Sequence, residues 1–223
     1  MKTLHKPLQI TVYQDVLCSW CYLADLRLEV LRQELGEAVR WSVRPYPLRV
    51  HDVLPTMREQ RALVEEVQRA QREPDAAAHL LSTDLWLGGD PPRTSVPALA
   101  ALEAARLQGP QARAFLARAM QRAALEQGVN VSRSDVVFEL ASRVGLAMDE
   151  FSAAFRSEET RRLILDEHQD ATHRGVRGVP TLVIGGRWML CGLRELTEYR
   201  EHILACLGKV SVPRSGSPER VVH

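Results

Sequence analysis

Two cysteines three positions apart, Cys18 and Cys21 in the stretch Tyr13–Tyr22 (YQDVLCSWCY), are the residues of this chain best suited to covalent chemistry. A β-type run, Leu8-Gln9-Ile10-Thr11-Val12-Tyr13, precedes them. An apolar pattern of helical period follows them (Leu23, Leu26, Leu28, Val30, Leu31, Leu35), stopped by Gly36. Cys18 therefore falls near a helix N-cap and Cys21 one turn inside, where unpaired N–H groups and the positive end of the helix dipole collect. A thiol in such a position has its ionised form favoured, and the thiolate is the reactive species. The spacing also lets the second thiol attack a mixed disulfide formed on the first, which releases substrate and closes a Cys18–Cys21 bond.

The other readings of the pair are buried structural thiols or half of a zinc site. Zinc needs four ligands at suitable spacing, and neither a second C-x-x-C nor an H-x-x-x-H occurs, so no metal is expected. Cys191 and Cys206 read as small buried hydrophobes, with a second redox pair as the alternative. Asp15, three residues before Cys18, could accept the Cys21 proton, and burial would raise its pKa for that work. Its alternative is a solvated strand-end residue or a helix-cap partner. Trp20, held between the cysteines, is expected to shield the disulfide and touch substrate, against a plain core-packing role. His168 and His173 read as cations at a helix C-terminus.

The elements that must position this pair recur at both ends of the chain. After the cysteine helix, Val39-Arg40-Trp41-Ser42-Val43-Arg44-Pro45-Tyr46 alternates as a strand, completing a βαβ unit. Leu48 to Pro55 reads as a loop. The middle is helical: Thr56 with Glu59 forms a capping box, and Pro74 ends or bends the helix that follows. Thr94 or Ser95 can cap a helix beginning near Pro97, and Gly109, Gly128 and Gly145 stop successive helices. Leu80, Leu81, Leu85, Trp86 and Leu87 read as core packing, with an exposed apolar patch as the alternative. A long helix capped by Ser157 runs to Gly175. Thr181–Ile184, Gly185-Gly186 and Arg187–Leu190 then read as a β-hairpin, closed by a helix from Glu195 to Leu207. Both strand pairs must share one sheet, because neither is stable alone. The expected organisation is residues 1–50 as the first half of an α/β domain, 51–174 as an all-helical insertion, 175–209 as the second half, and 210–223 as a disordered tail.

Composition narrows the function classes. Basic and acidic residues nearly balance, 29 against 28, which gives no electrostatic case for nucleic acid or an anionic membrane as main partner. The interleaved arginines of the middle (Arg58, Arg61, Arg69, Arg72; Arg113, Arg118, Arg122) read as solvated helix faces. No run approaches the roughly 18 apolar residues of a membrane span. The N-terminus lacks an apolar signal region, so a cytoplasmic location is expected, and a close cysteine pair in a reducing compartment points to catalysis or metal.

Taken together, the chain resembles the DsbA-like branch of the thioredoxin superfamily, and most closely its cytoplasmic FrnE-type members. Three features carry the resemblance: C-S-W-C at Cys18–Cys21 after the first strand, G-V-R-G-V-P-T at Gly175–Thr181 before the third, and an all-helical insertion between them. The resemblance implies a thioredoxin-like fold, Cys18 as nucleophile, Cys21 as resolving thiol, and a cis Val179–Pro180 bond opposite them. Val179 and Pro180 would then present main chain to an extended peptide, strand against strand. Ser19-Trp20 replaces a proline-containing dipeptide common in FrnE-type proteins, and that pair tunes the redox potential. The expected function is thiol–disulfide oxidation, reduction or isomerisation on protein or small-thiol disulfides. No cofactor is expected beyond the redox pair, with glutathione or a thioredoxin-type thiol as co-substrate. Two rivals share the architecture: a glutathione-dependent isomerase or transferase of the kappa-class or hydroxychromene-carboxylate type, and a non-enzymatic adaptor. The first typically carries serine where this chain has Cys18.

Overall fold

A central strand organises the sheet in the computed structural model, which describes residues 6–208. β1 (Leu8–Gln14) runs parallel to β2 (Val39–Pro45) and antiparallel to β3 (Thr181–Ile184). β4 (Trp188–Cys191) pairs antiparallel with β3, so the order is β2-β1-β3-β4 and both ends of the chain share one sheet. A parallel β1–β2 pair needs a crossover, supplied by α1 (Ser19–Leu35). β2 lies at the sheet edge, where Pro45 can end a strand without losing an interior ladder bond. Gly185 and Gly186 both take positive φ (60° and 69°) in the hairpin, which glycine adopts without steric penalty. β4 starts one residue later than the pattern suggested and ends at Cys191. The expected tail at 210–223 lies outside the described residues.

Each face of the sheet is covered. On one, Leu28, Leu31 and Leu35 of α1 and Tyr199 and Ile203 of α9 (Leu196–Cys206) pack on Ile10, Val12, Leu182, Ile184 and Leu190. On the other, Tyr13 and Tyr46 meet Ala171 of α8 (Glu158–His173) and Val176 beyond it. There the Tyr46 and His168 rings lie 4.5 Å apart, and Arg44 pairs with Glu167.

Between β2 and α8 the chain forms α2 (Met57–Ala70), α3 (Asp84–Leu87), α4 (Val96–Arg106), α5 (Pro110–Leu125), α6 (Ser134–Arg143) and α7 (Met148–Phe155). The Thr56–Glu59 capping box forms as expected, and α2 stops at Ala70, before Pro74. The single-turn α3 divides the expected apolar cluster: Leu81, Leu85 and Trp86 are buried, whereas Leu80 and Leu87 are exposed. α4 buries nearly all its length among α5, α7 and α8. Val16, Leu17, Tyr22 and Leu23 join this helical core, as does Ile164 of α8. Two helices thus serve both cores: α1 gives its first turns to the helical block and its later turns to the sheet, and α8 does the same. Arg27, 6% exposed, secures the junction by bonding Glu73, Asp75 and the carbonyl of Arg194. Among the described residues no helix is long and apolar enough to cross a membrane.

Candidate active site

The end of β1 hands directly to α1, and the cysteines sit on that junction. Cys18 is the N-cap residue, extended at φ −94°, ψ 114°, and its Sγ accepts the backbone N–H of Cys21 at 3.3 Å. A sulfur replaces the usual serine or aspartate oxygen at this cap, so the donor that would hold an oxygen there holds the sulfur. Both thiols are free; Cys18 is 6% exposed and Cys21 only 1%. Access therefore favours Cys18 as the sulfur that meets a substrate. Burial pushes the Cys21 thiol well above its ordinary pKa, and its hydrogen bond with Cys18 adds to the shift. The Asp15 charge raises it further, while a hydrogen bond with the Asp15 backbone opposes the rise. Cys21 therefore keeps its proton until a base removes it.

Facing the pair is the loop before β3. The Val179–Pro180 bond is cis, Pro180 is buried, and the Val179 carbonyl oxygen lies 3.8 Å from Cys18 Sγ, in line to accept the thiol hydrogen. Thr181 Oγ1 donates to the Gly178 carbonyl at 2.7 Å and closes this loop. The four residues expected at the redox centre, Cys18, Cys21, Val179 and Pro180, are thus adjacent in space.

Trp20 is half-buried, and its Nε1–H donates to Glu66 Oε2 of α2 at 2.7 Å. It packs against the helical core, in keeping with the core-packing role read for it. Asp15 is fully buried, which overturns the solvated strand-end reading. Its Oδ1 accepts the Leu17 N–H at 2.9 Å and its Oδ2 the Leu48 N–H at 2.8 Å. Burial raises its pKa above the ordinary carboxylate value, with these hydrogen bonds opposing.

Cys206 is half-buried near Leu196, Leu204 and Leu207, and burial raises its thiol pKa. Cys191 departs from the buried-hydrophobe reading: it is exposed at the end of β4, because this strand forms the sheet edge. His173 is exposed in the last turn of α8. Among the described residues no group of three or more histidine, cysteine or acidic side chains is placed to hold a metal ion. Sequence reasoning missed Glu66, which carried no signal beyond a helical glutamate.

Comparison with known proteins identifies the family and the fold. A family model described as a DSBA-like thioredoxin domain matches residues 9–204. The ClpXP adapter protein SpxH of Halalkalibacterium halodurans is 26% identical over 189 residues, which is 80% of this chain and 58% of that protein. The SpxH of Bacillus subtilis is 26% identical over 181 residues, 79% and 58% of the two chains. The chain thus spans less than two thirds of these curated relatives. A Nitrosomonas europaea structure assigned provisionally as a protein disulfide isomerase superposes with TM-score 0.76 at 19% identity, covering 91% of this chain and 98% of that one. The cytosolic disulfide reductase DsbM of Pseudomonas aeruginosa, solved with GSH, gives 0.63 at 22% identity over 90% and 96%. A 2-hydroxychromene-2-carboxylate isomerase gives 0.60 at 20% identity over 87% and 94%. These structures share the fold. With a family model that runs from β1 into α9, the chain belongs to the DSBA-like thioredoxin domain family.

Proposed function

We propose that this protein is a thiol–disulfide oxidoreductase that cycles Cys18 and Cys21 between dithiol and disulfide. One observation carries the reading: Cys18 Sγ caps α1, accepts the Cys21 N–H and opens toward the Val179 carbonyl beside Pro180. In the reducing direction, Cys18 thiolate attacks one sulfur of a substrate disulfide; a Cys18–substrate disulfide forms and the other substrate sulfur leaves as a thiolate. Asp15 takes the Cys21 proton, directly or through one water. The Cys21 thiolate then attacks Cys18 Sγ, the Cys18–Cys21 bond forms, and the second substrate sulfur leaves with its electron pair and is protonated. Two electrons pass from the dithiol to the substrate. Two molecules of a thiol such as glutathione reduce the Cys18–Cys21 bond, the first attacking it to form a mixed disulfide and the second releasing the enzyme dithiol and the thiol's own disulfide, and the same steps reversed oxidise a substrate dithiol.

Val179 and Pro180 are the proposed docking strand for an extended peptide, and Trp20 closes the other side over the pair. Leu48, Val53, Leu54 and Met57, each more than half exposed, lie on the segment that begins at Asp15's partner Leu48 and supply apolar surface for a protein substrate. FrnE-type placement, isomerase activity and a cytoplasmic setting belong to the same proposal; C-S-W-C, G-V-R-G-V-P-T and the shared fold of a cytosolic reductase support them.

The test is a redox titration in glutathione buffers, reading the state of each cysteine by alkylation and mass. A two-electron transition confined to Cys18 and Cys21 is expected; uptake of a single glutathione on Cys18 without closure would defeat the reading and favour the glutathione-dependent rival. A second reading follows from the curated relatives, which are adapter proteins. There the fold presents a client to a protease without turnover, and a Cys18→Ser, Cys21→Ser variant would keep full function.

A further inference from the structure

A cleft of about 250 Å³ opens between α1, α5 and the segment before α3, and the chemistry assigned to the cysteines makes no use of it. α1 lines it with Tyr22, Asp25 and Leu26, one and two turns beyond Cys18. α5 lines it with Arg118, Gln121 and Arg122, whose spacing of three and four residues puts them on one face of the helix. Leu80 completes the rim, a large apolar side chain left 56% exposed. The acids of the cleft are already taken. Asp25 pairs with Arg32 at 2.8 Å, and Glu126 accepts the Tyr22 hydroxyl at 2.6 Å and lies 3.5 Å from Arg122. Burial and the Glu126 bond push the Tyr22 hydroxyl up to about 12, so it stays the donor of that bond at neutral pH. Arg118 is exposed and, among the described residues, has no acidic partner. Gln121 is only 3% exposed, yet its amide makes no hydrogen bond to any described residue. Polar groups this deeply placed are nearly always satisfied by protein, water or ligand, and this one is open only through the cleft it lines.

We propose that this cleft binds a small organic acid, its one carboxylate held by Arg118 and Gln121 and its short apolar chain laid on Leu26 and Leu80. The site goes beyond the redox reading and does not depend on it. Charge decides the ionic form of the ligand. With Asp25 and Glu126 each matched by an arginine, the surplus is the single guanidinium of Arg118, which suits one carboxylate and not two. A guanidinium presents paired N–H donors that match the two oxygens of a carboxylate, and the Gln121 NH2 adds a neutral donor beside it. Volume sets the size. Clefts for drug-sized ligands run to about 300–1,000 Å³, so this one takes a smaller molecule. The leucines set the rest: Leu26 is half-buried and Leu80 exposed, and covering them removes apolar surface from water. A bare inorganic anion would leave both uncovered.

The test adds N-acetyl-leucine, which carries one carboxylate, an amide and an apolar chain, to the full reduced chain and follows NMR shifts. Saturable shifts, at millimolar ligand or below, are expected at the backbone amides of Tyr22, Leu26 and Arg122 and at the Gln121 side-chain NH2. The neutral N-acetyl-leucinamide isolates the charge and is expected to bind about tenfold more weakly, as the loss of a charge-assisted hydrogen bond requires. Arg118→Gln, at an exposed position that leaves the core intact, is expected to weaken N-acetyl-leucine by about the same factor. Arg162→Gln, on the exposed face of α8 and outside the cleft, is expected to leave its affinity unchanged. Equal binding of the acid and its amide, or an unchanged affinity in Arg118→Gln, would overturn the proposal. Equal weakening by Arg162→Gln would reduce it to diffuse surface charge and overturn it too, as would shifts that never saturate or that miss the Gln121 NH2.

Discussion

Replacing Asp15 by asparagine separates the cost of burying a charge from the value of the hydrogen bonds that receive it. Asp15 is completely buried, and burial raises its pKa in the native chain. In the unfolded chain it ionises near the ordinary value of about 3.9. Between those two values the native state holds a proton that the unfolded state has lost, so this group's contribution to stability falls as pH rises through the window. Below the unfolded value the contribution is fully present, and above the native value it is gone. Each pH unit of the window costs about 1.4 kcal/mol. Asparagine has no such window, but it cannot accept both the Leu17 N–H and the Leu48 N–H, which now bond separate oxygens at 2.9 and 2.8 Å. One donor faces an NH2 group, at a cost of about 1–3 kcal/mol. The variant is therefore less stable than wild type at about pH 4 and gains on it by up to about 1.4 kcal/mol per pH unit thereafter. Urea unfolding of both reduced chains between about pH 4 and 8 measures this; ionisations common to the two chains cancel in the difference. A difference that stays flat with pH, or moves the other way, would refute the raised carboxyl and with it Asp15 as proton acceptor.

Cys21→Ser is expected to accumulate a covalent Cys18 adduct with a disulfide substrate, visible by non-reducing mass analysis, while Cys18→Ser forms none. Arg27→Met should lower stability by about 2–4 kcal/mol in urea unfolding, because it leaves Glu73, Asp75 and the Arg194 carbonyl without their shared donor; the partial exposure of both carboxylates keeps the loss below the top of the range for buried pairs. Tyr199→Phe removes a hydroxyl that accepts from Arg194 N–H and donates to the Gly192 carbonyl, and should cost about 1–3 kcal/mol with little change in the redox midpoint.

How much was legible in the sequence depended on whether local chain carried the information. The strand before Cys18, the α1 period, the Thr56–Glu59 box and the Gly185-Gly186 turn are local signals, and each appears within a residue or so of its expected place. Asp15 could be named from its position three residues before Cys18, but its burial could not: the Leu48 partner comes from distant chain, and strand position does not reveal what covers a strand end. Of the two cap candidates at the start of α4, Thr94 binds the Val96 N–H, whereas the Ser95 hydroxyl accepts the Arg49 N–H from distant chain, which local sequence could not show. The exposure of Cys191 follows from β4 lying at the sheet edge, a property of strand order and not of its own sequence.

The sharing of α1 between two cores bears on how the molecule opens. Val16, Leu17, Tyr22 and Leu23 are buried in the helical block, whereas Leu28, Leu31 and Leu35 belong to the sheet. Native-state opening in proteins tends to proceed by cooperative units, each releasing the amides it protects. Here the boundary between two such units would run through the redox helix itself. Amides of its first turns would exchange with those of α4 and α5, and amides of its last turns with the strands. Partial release of the helical block would then uncover the Cys18–Cys21 pair and loosen the cap on Cys18 while leaving the sheet folded, so local fluctuation and redox access would share one free energy.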